Sequence, residues 1–125
     1  MGKGKCQACH TGNGQRALFT DYTYDNLGLP RNPDNPFYSN TDFNPDGADW
    51  VDEGLGAFLE SRADYAGFAA ANLGKQKVPT LRNVAKGSCE AEPTNPGCIV
   101  KAYGHNAYFK SLKGIVHFYN TRDVK

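Results

Sequence analysis

Apolar and polar positions along this chain follow a helical period in only a few places. The clearest is near the carboxyl end, where a helix is predicted over 109–121. There Leu112, Ile115, Val116 and Tyr119 fall three and four apart on one stripe, with His117 on the opposite side near Lys110 and Lys113. A second helical stretch is predicted from Asp49 to about Leu73, interrupted near Ala63. Acidic residues occupy its first turn, and Leu55, Phe58 and Leu59 share a face. Residues 3–10 predict a short helix that Thr11-Gly12-Asn13-Gly14 breaks, and Pro79-Thr80-Leu81-Arg82-Asn83 predicts one helical turn. Between 17 and 47 the chain is rich in Asn, Asp, Pro and aromatics, with Leu18 to Tyr22 a short extended piece in an otherwise long loop. A loop of that length signals function or packing against a ligand.

One pentapeptide gives the pattern a chemical purpose. Cys6-Gln7-Ala8-Cys9-His10 is the Cys-x-x-Cys-His attachment signature of a c-type haem. Two thiols at this spacing can form thioethers to one porphyrin edge, and the following imidazole becomes the proximal iron ligand. A thioredoxin-like redox pair or half of a zinc site would leave His10 unexplained, and no second ligand pair with zinc spacing is present. With a haem expected, Phe19, Tyr22, Tyr24, Leu27 and Leu29 become candidates to fold over its face, although ordinary core packing would use the same residues.

The chain has 125 residues with 14 basic and 13 acidic side chains, for a net charge of +1. It is expected to form a single domain over residues 1–125, mature or a fragment of a longer chain. The balance of charge carries no nucleic-acid footprint, and no apolar run suggests membrane insertion. The start Met1-Gly2-Lys3-Gly4-Lys5 does not read as a signal peptide. Of the four cysteines, Cys89 and Cys98 lie in a turn-rich segment where a disulfide between them would staple a loop. That usage and thioether chemistry both place the protein in the periplasm.

The one methionine is Met1, a poor candidate for a distal iron ligand at a chain terminus. Tyr119, His105 and His117 remain, along with water or an open site. Tyr119 is favoured because it lies on the apolar stripe; His105 sits in a loop that periodicity does not orient.

Leu18-Phe19-Thr20-Asp21, Asn26-Leu27-Gly28, Val78-Pro79-Thr80-Leu81-Arg82-Asn83-Val84 and Tyr103-Gly104-His105-Asn106 with His117-Phe118-Tyr119-Asn120 resemble the bacterial di-haem cytochrome c peroxidase family, which includes the methylamine-utilisation di-haem enzymes. The resemblance covers most of the chain and matches the carboxy-terminal haem domain. It implies an all-α cytochrome c-like fold with long irregular loops, Arg82 near the haem propionates, and a distal ligand fourteen positions beyond His105, which is Tyr119. This chain has one haem motif where those enzymes have two, and its segment from Asn83 to His105 is enlarged, so no calcium site of the family carries over there.

A second metal pattern runs from Asp42 to Glu53. Asp42, Asn44, Asp46 and Glu53 stand at EF-hand ligand positions with Gly47 at the turn. Pro30, Pro33 and Pro36 before it exclude an ordinary entering helix, so a loop capping the next helix is favoured and calcium, though possible, is not.

The expected function is electron transfer through one covalent haem c, with no catalytic residues of its own. Redox proteins are the expected partners, with a second haem domain as a further possible associate. The alternatives are one half of a di-haem peroxidase-type enzyme and a haem-based redox or gas sensor.

Overall fold

The computed structural model describes residues 4–86, 100 and 102–122. Cys89 and Cys98, and with them the expected disulfide, lie outside the described residues.

The chain divides into two compact units. The first takes residues from Met1–Thr23 and Val78–Lys125, so its parts come from both sides of the second, Tyr24–Lys77. The second unit begins and ends in a two-stranded antiparallel sheet of β1 (Tyr24–Asp25) and β2 (Gln76–Lys77), with Tyr24 opposite Lys77 and Asp25 opposite Gln76.

Inside the second unit, helix α1 (Leu55–Glu60) is six residues long. Gly54 precedes it at φ 54° and bridges to Lys75. This is a backbone conformation that side chains other than glycine rarely adopt. Short 3-10 turns follow at Ala66–Phe68 and Ala70–Asn72. The proline-rich stretch forms another turn, Pro36–Ser39, where the Asn35 side chain accepts from the Phe37 N–H and Pro36 holds the first turn position. Trp50 packs edge-on against Phe37 at 4.8 Å and tilted against Tyr38 at 6.2 Å, with Arg31 stacked 4.2 Å from the Tyr38 ring centre.

In the first unit the long helix is α2, Leu112–Thr121. It starts later than the periodicity predicts because Phe109 pairs with Tyr103 in a β-bridge, and extended Ser111 then caps the helix by accepting from the Gly114 N–H at 3.1 Å. Buried Phe109 stacks on Phe118 at 5.4 Å and anchors the helix. Phe118 thus takes an inward place, and Val116, expected on the stripe, is 53% exposed.

The all-α expectation is corrected. Among the described residues there are two α-helices, isolated 3-10 turns and a small antiparallel sheet. The stretch predicted as helical from Asp49 to Leu73 retains only Leu55–Glu60 as α-helix, between short turns. At the head of that stretch the Asp52 side chain takes the Gly54 N–H, and in the loops Asn26, Asn32 and Asn106 likewise take those of Gly28, Asp34 and Tyr108. Each such turn offers the backbone a partner that competes with a helix.

Candidate functional site

The Cys-x-x-Cys-His residues occupy a single tight turn. Lys5, in the left-handed region at φ 43°, opens the 3-10 turn Cys6–Ala8, and the N–H groups of both Cys9 and His10 donate to the Cys6 carbonyl. Cys6 is exposed, while Cys9 and His10 are half-buried. A shallow open depression beside the turn is lined by Lys5, Gln7, Ala8, His10, Thr11 and Gly12.

His10 is held by its ring. Its Nδ1 lies 2.9 Å from the Phe19 carbonyl oxygen. A carbonyl can only accept, so Nδ1 carries the proton and Nε2 keeps a lone pair for a metal. That tautomer suits an iron ligand, because a histidine ligand ordinarily donates its other N–H to a carbonyl or carboxylate. Gly12 makes the return of the chain possible: at φ 134°, a Cβ there would stand 3.0 Å from the Ala17 Cβ.

The donor set fits a covalent haem: two thiols on one turn and an imidazole already in the ligating tautomer. The surroundings fit as well. Among the described residues, the first unit buries only Val78 and Phe109 as apolar side chains, whereas Leu18, Tyr22 and Val116 are 44%, 59% and 53% exposed. The described part of this unit therefore has little apolar core of its own, which an apolar group would supply. Of the aromatics and leucines expected over a porphyrin face, Phe19 and Tyr22 belong to this unit; Tyr24, Leu27 and Leu29 belong to the other.

The distal candidates differ in placement. Tyr119 is half-buried, with its ring 5.6 Å from Phe118 and 5.8 Å from the Arg122 guanidinium carbon. His117 is exposed. His105 is also exposed, in the tight loop closed by the Tyr103–Phe109 bridge.

Arg82 has a role that its motif did not reveal. Its Nη2 donates to the carbonyls of Gln15 at 2.6 Å and Ala17 at 2.7 Å. Thr80 donates to the Leu18 carbonyl and accepts from the Arg82 N–H at 3.1 Å. Thr20, buried, donates to the Val78 carbonyl at 2.7 Å. Sequence reasoning missed Thr20 and Thr80; the only available signal was their place inside the Leu-Phe-Thr-Asp and Pro-Thr-Leu-Arg-Asn elements.

The Asp42–Glu53 loop is organised by Asn44. This residue is 1% exposed and donates through Nδ2 to the carbonyls of Phe37 at 3.0 Å and Gly47 at 2.9 Å. Among the described residues, no three His, Cys, Asp or Glu side chains are grouped so as to hold a metal ion. Nor is any described helix long and apolar enough to cross a membrane.

No protein-family profile matches the chain, and no solved structure matches it at a significant level. Over 121 residues it is 34% identical to the methylamine utilization protein MauG of Paracoccus denitrificans (strain Pd 1222). The alignment takes in 92% of this chain and 24% of that protein, so the chain spans about a quarter of the relative's length and is similar to one portion of MauG.

Proposed function

We propose that the chain is a c-type haem domain of the periplasm that transfers electrons, with the haem held by thioethers to Cys6 and Cys9 and by His10 Nε2 on the iron. The observation that carries this reading is the His10 ring: Nδ1 is committed to the Phe19 carbonyl at 2.9 Å within a turn that also bears both thiols. A haem in this site supplies an iron that alternates between ferric and ferrous. Cys6 and Cys9 fix its edge, and the Phe19 carbonyl holds the His10 ring against rotation. Tyr119 is proposed as the second axial ligand, supported by its half-buried place on α2 and by the exposure of His105 and His117. A phenolate ligand favours ferric iron and a low potential. Two protein ligands would leave no position for substrate, which suits electron transfer. Redox proteins are the partners this reading requires.

The similarity to a portion of MauG favours a second reading, in which the chain is one haem domain of a larger di-haem peroxidase-type enzyme. Electron paramagnetic resonance of the ferric protein as isolated distinguishes the two. A low-spin signal means a six-coordinate iron and supports electron transfer with Tyr119 bound. A high-spin signal means a weak or absent sixth ligand, removes Tyr119 as a strong ligand and shifts the reading towards peroxide chemistry.

A further inference from the structure

We propose that Thr80 and Arg82 are positioning residues for the proximal ligand: they clamp the backbone of residues 15–18 so that the Phe19 carbonyl is held on His10 Nδ1, and through that bond they set the reduction potential. The inference rests on the haem reading above and adds to it a control element more than sixty residues away in the chain.

The geometry is specific. Four carbonyls between residues 15 and 19 go to three side chains. Those of Gln15 and Ala17 accept from Arg82, that of Leu18 accepts from Thr80, and that of Phe19 faces His10. The change of direction falls at Phe19, whose φ of 55° lies in the left-handed region. A phenylalanine adopts this conformation only when its surroundings impose it. They do so from both sides. Ahead of Phe19 lie the three carbonyls taken by Thr80 and Arg82. Behind it, Thr20 Oγ1 donates to the Val78 carbonyl and accepts from the Tyr22 N–H at 3.1 Å, while the Val78 N–H donates to the Thr23 carbonyl at 2.8 Å. Arg82 suits the task because a guanidinium nitrogen carries two N–H groups in a fixed plane and serves two carbonyls at once.

The consequence for an iron centre is electronic. A histidine that donates Nδ1–H to a well-placed carbonyl is a stronger electron donor to the metal, which favours the ferric state. Releasing Phe19 from its left-handed conformation would swing the carbonyl off the ring, weaken that donation and raise the potential. Arg82 therefore acts on the iron through the backbone it holds.

The test uses the haem-loaded full chain and the variants Thr80→Val, Arg82→Gln and Thr80→Ser. Two quantities are read: the reduction potential by spectroelectrochemistry, and the solvent exchange of the His10 Nδ1 proton by nuclear magnetic resonance of the ferrous protein. Thr80→Val and Arg82→Gln are expected to raise the potential and to speed exchange about tenfold, the loss of one net hydrogen bond. Thr80→Ser, which keeps the hydroxyl, is expected to retain both wild-type values. If Arg82→Gln does not fold, the Thr80 pair decides alone. Covalent haem with potential and exchange unchanged in Thr80→Val would overturn the clamp and leave the haem reading intact. A wild-type chain without thioether-bound haem, judged from its alkaline pyridine spectrum, would overturn both.

Discussion

Gly4 lies against Tyr119. A Cβ at position 4 would stand 3.4 Å from the Tyr119 Cβ and 3.3 Å from Asn120 Oδ1. The backbone two residues ahead of Cys6 therefore packs on the last turns of α2, which ties the haem-motif segment directly to the helix that carries the proposed distal ligand.

Tyr119→Phe is expected to change the ferric spin state, because phenylalanine retains the ring packing on Phe118 and removes only the ligating oxygen. His117→Ala should leave the spectrum as it is, since His117 is exposed. An unchanged electron paramagnetic resonance spectrum in Tyr119→Phe would take this residue off the iron.

Gly56→Ala should destabilise the second unit despite the better helix propensity of alanine. The new Cβ would stand 2.7 Å from Leu73 Cδ2 and 2.8 Å from Leu73 Cα. Propensity returns about 1 kcal/mol. Overpacking against a backbone atom costs about 1–3 kcal/mol. A lower denaturant midpoint is expected; a higher one would mean that Leu73 yields easily.

Ser111→Ala removes the acceptor for the Gly114 N–H at the start of α2 and should cost about 1 kcal/mol. Thermal unfolding measures the loss. Because the cap is at the far end of the helix from Tyr119, the iron spectrum should remain unchanged.

Asp21 gives a pH dependence. The Thr23 backbone N–H at 3.0 Å, and then the Thr23 hydroxyl at 2.8 Å, donate to its carboxylate and hold its pKa below the ordinary aspartate value, with partial burial opposing them. A lowered folded-state pKa means that the stabilisation is fully present above the unfolded value and is lost as pH falls through the folded one. Asp21→Asn should therefore flatten the acid limb of the stability profile below about pH 4. An identical acid limb in the variant would assign that limb to other groups.

What was legible in the sequence was what neighbours in the chain decide. The Cys6–His10 motif could be singled out because the thioether chemistry it implies would use five contiguous residues, and the structure folds them as one tight turn. Helix α2 could be read because Leu112, Ile115 and Tyr119 repeat at helical spacing. The clamp could not be read, since Thr80 reaches Leu18 across 62 positions and Arg82 reaches Gln15 across 67. The long helix predicted from Asp49 begins only at Leu55, because Gly54 takes a positive φ of 54° and bridges to Lys75, while Gly56 inside α1 lets the helix approach Leu73. A sequence shows the same glycine whether it loosens a helix or admits a neighbouring backbone. The loop favoured for Asp42–Glu53 as a cap of the next helix does not cap it: Gly54 precedes α1 with no side-chain cap, and buried Asn44 instead closes the loop on two carbonyls.

The division of the first unit into two chain segments has a consequence for biosynthesis. During translation the Cys6–His10 turn leaves the ribosome first, while Val78, Thr80 and Arg82 follow only after the whole of Tyr24–Lys77. Until then the bonds that Thr80 and Arg82 make to the carbonyls ahead of Phe19 cannot form. Pairing of β1 with β2 shortens the wait by bringing Thr23 and Val78 together, since a loop closed by its own hairpin ends costs less entropy to bridge. A lesion in the second unit that delays this pairing would thus leave the nascent chain with its thiols ready and its histidine still unaligned.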